Sequence, residues 1–250
     1  MLFRSDSFRG VTGAFDSAIK AMEVARRAGL EFQVNSTITV LNLNEIETLY
    51  SLAVDIGASG FHPFLLVPMG RGAGLSDIAL SPAEYEKTLT KIAEIAAGSP
   101  IEIKPTCAPH YSRVVLQTKN KAAVNNLHGR LSSGHKNLRR EGHSSRFSGC
   151  IGGKHFAFIS HRGKVQICGF LELEAGDLRE TGMDFKSIWE NSWLFQKIRA
   201  VDEYKGKCGI CEFRFVCGGC RARAHYINGD FTGEEPDCIH LPKKVKNPDN

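Results

Sequence analysis

Residues 208–220, CGICEFRFVCGGC, set four thiols at the spacing C-x2-C-x5-C-x2-C. Backbone turns can aim several sulfurs spaced this closely at one inorganic centre, and side-chain packing alone needs no such density. Gly209, Gly218 and Gly219 lie between the thiols, where a loop wrapped round a metal centre needs residues that tolerate positive φ and close backbone approach. Cys150 and Cys168 precede the block and Cys238 follows it, so residues 150–250 hold seven of the eight cysteines; Cys107 is the eighth.

Three chemistries compete for these thiols. Disulfide frameworks belong mainly to short secreted chains, and no export leader opens this sequence, so a reduced, cytoplasmic, metal-binding set is expected. Paired C-x2-C knuckles suit tetrahedral zinc. Iron–sulfur clusters also take four thiolates each and tolerate an iron position filled by another ligand; the crowded C-x5-C-x2-C portion favours clusters over zinc. The net charge of +5 over 250 residues is too mild to argue for nucleic acid and suits an anionic small molecule equally well. No apolar run approaches the roughly 20 residues that span a bilayer, so no membrane partner is expected.

Upstream of the cysteines the pattern is α/β. Residues 14–28 place Phe15, Ala18, Ile19, Met22 and Ala25 on one helical face, with Gly29 as a stop. EFQVNSTIT alternates and is rich in β-branched residues, a strand signal. A helix is expected from Asn44 as its cap to Gly57. GFHPFLLVP then reads as a strand buried on both faces. After the Gly-rich MGRGAG, Ser81-Pro82-Ala83-Glu84 supplies a cap, a first-turn proline and a capping-box acid, and IEIK at 101–104 is a short strand. Helix and strand alternating at this period predict a parallel sheet with function at the carboxyl ends of its strands. Three strands cannot close a barrel, so residues 1–114 read as the later half of a partial (β/α) TIM-like barrel. Residues 115–149 are polar and basic, a linker or a flap over an anionic substrate. From Cys150 short strands take over: HFAFISHRGKVQIC is a hairpin turning near Gly163 and delivering Cys168, and Asp184 caps a short helix through Phe185, Ile188 and Trp189. Residues 150–250 thus form a small cysteine-rich α+β domain.

The run from Cys150 through G-x4-C at Cys168, the 208–220 block and Cys238 resembles the SPASM extension of radical S-adenosylmethionine enzymes. CGFL at 168–171, FKSIWENS at 185–192 and GKCGICEFRFVCGGCRARA at 206–224 are similar to the branch that modifies tetrapyrrole side chains in alternative haem and haem d1 synthesis. DSFRGVTGAFD, QVNSTIT, LVPMGRG and TCAPHY extend the likeness over nearly the whole chain. The resemblance implies that Cys208, Cys211, Cys217 and Cys238 hold one 4Fe-4S cluster. Cys150, Cys168 and Cys220 would hold a second, for which Cys107 is either the missing ligand or a buried small apolar residue. It also implies that Asn35 and Thr37 face S-adenosylmethionine; Arg9 or Arg71 is either a planar fork for substrate carboxylates or a plain surface arginine. Among the nine histidines His110 alone lies in family-like wording.

The family's radical-generating step needs a C-x3-C-x2-C loop, and no such triplet occurs in the sequence. The expectation is therefore an incomplete radical enzyme, a fragment or split-gene product, using S-adenosylmethionine only with a partner chain that carries the first half of the barrel. Rival readings are an electron-transfer module of a split enzyme, a peptide-modifying maturase and a zinc-stabilised structural protein. The open sheet edge predicts poor solubility without a partner.

Overall fold

The computed structural model describes residues 2–118 and 149–243. Its first unit is a parallel sheet in the order β1 (Gln33–Ile38), β2 (Gly60–Leu65), β3 (Glu102–Ile103). Helices α1 (Leu2–Arg9), α2 (Ala14–Arg27), α3 (Ile46–Asp55), α4 (Pro82–Ala97) and α5 (His110–Gln117) surround it. One core fills it: Ile38, Phe61 and Leu65 from the strands meet Ala53 of α3, Leu89 and Ile92 of α4 and Val115 of α5.

Local sequence explains most of these elements. Ser81 accepts from the Glu84 amide while the Glu84 carboxylate accepts from the Ser81 amide, and Pro82 opens the helix, so α4 begins with its free donors satisfied. Three expectations need correction. Asn44 does not cap α3; it lies within a 3-10 turn, Leu43–Glu45, and α3 starts without a side-chain cap. Asn42 is the bonded asparagine, accepting from the Thr39 amide at 2.9 Å and donating to the Thr37 carbonyl at 2.9 Å. Strand β2 is not buried on both faces: Phe61 and Leu65 are in the core, whereas His62 and Phe64 on the other face are half-buried. The core helices lie on one side of the sheet, and the inner face meets the second unit through Phe64, whose ring lies 5.6 Å from that of Phe170. Residues 115–117, expected in a linker, close α5; residues 119–148 of that linker lie outside the described residues.

The second unit begins with an antiparallel sheet, β4 (Phe158–Ile159), β5 (Lys164–Gln166) and β6 (Gly176–Asp177). Gly163, at φ 83°, makes the hairpin turn. Strand β5 ends before Cys168, which makes an isolated bridge to Leu171. Helices α6 (Phe185–Asn191), capped by Asp184, and α7 (Trp193–Arg199) follow, then α8 (Gly206–Ile210) and α9 (Arg221–Asn228). A second core of Val165, Ile167, Leu171, Ile188, Leu194 and Phe195 also takes in Cys220 and Ala222. Two separate cores in one chain are two packed units, and their contact is where the thiols gather.

Candidate metal centre

Cys208 lies on α8, Cys211 just beyond its end, Cys217 in the turn before α9 and Cys238 downstream of α9. All four line one small cavity, with Phe213 and Arg113 in its wall. Backbone amides point at three of the sulfurs: Phe213 donates to Cys211 Sγ at 3.4 Å, Gly219 to Cys217 Sγ at 3.4 Å and Glu235 to Cys208 Sγ at 3.3 Å. The Arg221 guanidinium stands 3.8 Å from Cys208 Sγ. Burial pushes the Cys211, Cys217 and Cys238 thiols up, and each also feels the charge of Cys208. As thiolates they would repel one another, so the set would be deprotonated only with a multivalent cation among them.

The other four thiols come from both units. Cys107 leads into α5, and Cys150, Cys168 and Cys220 belong to the second unit. Burial raises all four, Cys220 to about 11, and the charges of Cys220, Cys168 and Cys150 each act on Cys107. Arg223 opposes that rise at Cys107 and Cys220, and Lys154 opposes it at Cys150. Cys107 sits at φ 56°, left-handed backbone that a non-glycine residue adopts at a cost. Its carbonyl accepts from the Tyr85 hydroxyl at 2.9 Å, which helps to hold that conformation. The eight thiols are all free and gather in two sets of four.

The spacing within the sets distinguishes the possible metals. A tetrahedral zinc site with Zn–S near 2.3 Å draws its sulfurs to about 3.8 Å from one another. Among the described residues the one group of three potential ligand atoms within 4.8 Å of each other is Cys211, Glu212 and His240. The cysteine sets are therefore wider than zinc needs. Width, amide donors and nearby cations together fit a bulky iron–sulfur cluster in each set.

Between the sets lies a buried ionic node that the sequence reading missed. Glu235 is 0% exposed and Arg223 1%. Arg223 donates from Nε to Glu235 at 2.9 Å and from Nη2 to the Tyr85 hydroxyl at 2.9 Å, and Asp237 lies 3.2 Å from its Nε. The Glu235 carboxylate also accepts from the Cys220 amide. Burial pushes the Glu235 carboxyl up, but the Arg223 charge, its hydrogen bond and the Cys220 amide outweigh it, holding it at about 2. His110 stacks edge-on to Tyr85 at 5.0 Å, with Nε2 3.7 Å from Glu235, beyond hydrogen-bond range; burial lowers it to about 4, so it is neutral. The signal was present in CRARA: two arginines directly after the last thiol of the block, two residues apart, both buried.

Arg9, Asn35 and Thr37 line a different cavity of about 200 Å³ between β1 and the α1–α2 pair. The helical face expected to pack inward, Phe15, Ala18, Ile19 and Met22, forms its apolar wall, and no residue of α2 is fully buried. Arg71 lies in a 3-10 stretch, Gly70–Ile78, and its side chain is outside the described residues.

A family model described as an iron-sulfur cluster-binding domain, SPASM, matches residues 150–218. The chain is 43% identical over 239 residues to the AdoMet-dependent heme synthase of Methanosarcina barkeri, covering 96% of this chain and 64% of that protein. It is equally 43% identical, over 240 residues, to the heme synthase of the same description from Nitratidesulfovibrio vulgaris, covering 96% of this chain and 62% of that one. The chain carries a SPASM-type iron-sulfur domain and is similar along most of its length to these S-adenosylmethionine-dependent enzymes. It spans less than two thirds of the length of these curated relatives. Its fold is similar to that of Streptococcus suis SuiB bound to S-adenosylmethionine, with a TM-score of 0.55 over 95% of this chain and 49% of that one, at 15% identity. That likeness speaks to the fold alone, a mixed α/β architecture. No helix among the described residues is long and apolar enough to cross a membrane.

Proposed function

We propose that this chain is the auxiliary-cluster and substrate-facing portion of a radical S-adenosylmethionine enzyme that modifies tetrapyrrole side chains. In this reading residues 1–117 are the later part of a β/α barrel, residues 118–149 join it to the SPASM domain, and residues 150–250 are that domain. The observation that carries the reading is the clustering of eight free thiols, no three of their sulfurs within 4.8 Å of one another, beside Arg221, Arg113 and Lys207 at the first set and Arg223 and Lys154 at the second. Cys208, Cys211, Cys217 and Cys238 hold one 4Fe-4S cluster; Cys150, Cys168, Cys220 and Cys107 hold the second.

Bound in these sets, the clusters supply one-electron storage at potentials governed by burial and by hydrogen bonds to sulfur. The chain's own residues do the rest. The Phe213, Gly219 and Glu235 amides steady the thiolates. Tyr85 and Arg223 bind the barrel unit to the cluster unit, so that Cys107 meets its three partners. At the β1 cavity, Asn35 and Thr37 present polar groups to S-adenosylmethionine and Arg9 offers a fork to a substrate carboxylate; Arg71 has the same role in the glycine-rich stretch. Residues 1–250 contain no C-x3-C-x2-C triplet, so cleavage of S-adenosylmethionine draws on a motif outside these residues. Eight free thiols suit the reducing cytoplasm.

The test is iron, sulfide and zinc content with an optical spectrum on protein reconstituted without oxygen. About eight irons with matching sulfide are expected, from two four-iron clusters, and a Cys107→Ala variant should show a changed spectrum for one cluster only. Stoichiometric zinc without sulfide refutes the reading.

A further inference from the structure

We infer that Glu235 is a charged bridge between the two cluster sites and sets their reduction potentials jointly; the inference rests on the two-cluster reading above. Glu235 belongs to neither ligand set, yet it contacts a ligand of each. Its backbone amide donates to Cys208 Sγ at 3.3 Å, in the first set. Its carboxylate accepts from the amide of Cys220, in the second. One residue thus runs from a sulfur of one site to the backbone of a ligand of the other. The carboxylate charge also acts on thiols of both sets, Cys217 and Cys220.

A packing role alone does not explain a carboxylate here. A glutamine has the same shape and would accept from the Cys220 amide, but it would leave the buried Arg223 with Asp237 as its counter-charge. What glutamine lacks is the negative charge. That charge is not simply cancelled, because Arg223 is shared with Asp237, 3.2 Å from its Nε, and with the Tyr85 hydroxyl. Water cannot screen it, and nearby buried charge is among the factors that govern cluster potentials. The glycine that precedes Cys220 protects the arrangement: a Cβ on Gly219 would stand 2.9 Å from Glu235 Cβ.

The test uses the reconstituted chain carrying both clusters, with Glu235→Gln and Glu235→Asp, each assayed for iron and sulfide and then titrated potentiometrically with EPR detection. Removing the charge in Glu235→Gln should raise both midpoints, each by about a tenfold change in the oxidised-to-reduced ratio, about 59 mV for a one-electron couple. Glu235→Asp keeps the charge and should leave both near the wild-type values. With eight irons retained, movement of neither midpoint or of only one in Glu235→Gln overturns the inference. So does an equal shift in Glu235→Asp, which would mark the residue as purely structural. If Glu235→Gln does not retain its clusters, Arg223→Gln is read in its place. It also removes a positive charge, so it is compared with the double variant Arg223→Gln/Glu235→Gln: both midpoints should be lower in the single variant than in the double, and equal midpoints overturn the inference. Fewer than two clusters in the wild-type chain defeats the two-cluster reading itself and this inference with it.

Discussion

Gly219→Ala, paired with Gly229→Ala, separates two costs that glycine avoids. Both positions have left-handed backbone, φ 64° and φ 72°, so alanine at either incurs about 1–2 kcal/mol of backbone strain. At Gly229 a new Cβ meets nothing within 4 Å, and the strain is the whole cost. At Gly219 it would lie 2.3 Å from Arg221 Nη2 and 2.9 Å from Glu235 Cβ. Neither neighbour is free to move. Arg221 is held by the Phe231 carbonyl at 3.1 Å and the Gly233 carbonyl at 2.6 Å and lies over the Tyr204 ring at 4.5 Å; Glu235 is held by Arg223 and the Cys220 amide. Overpacking of this kind adds about 1–3 kcal/mol. At a urea slope of about 2 kcal/mol per molar, the Gly219 variant should unfold about 0.5–1.5 M before the Gly229 variant. The assay is the urea midpoint by circular dichroism on oxygen-free reconstituted protein, with iron counted after gel filtration. Gly219→Ala should also lose iron, because Gly219 lies between Cys217 and Cys220. Equal midpoints for the two variants would refute the packing argument, and unchanged iron would refute its link to the thiols.

Tyr85→Phe removes a hydroxyl that donates to the Cys107 carbonyl and accepts from the buried Arg223, both at 2.9 Å. A hydrogen bond to a buried charge is worth about 1.5–3 kcal/mol and a neutral one about 1 kcal/mol, so the urea midpoint should fall by the equivalent of about 2–4 kcal/mol; a change below about 0.5 kcal/mol would show that the two units are held together elsewhere. Acidification should destabilise the protein through His110. Its folded value is lowered to about 4 from 6.5, so the unfolded chain binds the extra proton first, and stability present above 6.5 is lost as pH falls towards 4. Between pH 7.5 and 5.5 the loss is about 1 kcal/mol, and His110→Phe, which keeps a ring against Tyr85, should remove that part of the pH dependence in urea titrations.

The alternating α/β pattern, the Ser81–Glu84 capping box, the hairpin at Gly163 and the Asp184 cap were legible because each depends on residues a few positions apart. Asn44 failed as a cap because Asn42 competes for the same turn with bonds to Thr37 and Thr39, a choice that local propensity does not resolve. The two-sided burial expected of β2 failed because burial depends on what covers a face, and the strand's own residues do not determine that.

By itself the sequence determined that a dense thiol array follows an α/β unit, because cysteine spacing and hydrophobic period are written along the chain. Only the tertiary structure decided that Cys107, 43 residues before Cys150, lies where the charges of Cys150, Cys168 and Cys220 act on it, and that Arg223 and Glu235 are buried. Cys107 reaches its partners because the two units dock through Tyr85 and Arg223. A charge can leave water only where opposite charge and donors are already in place, and Arg223 finds them in Glu235, Asp237 and Tyr85, which lie 12 and 14 residues after it and 138 residues before it.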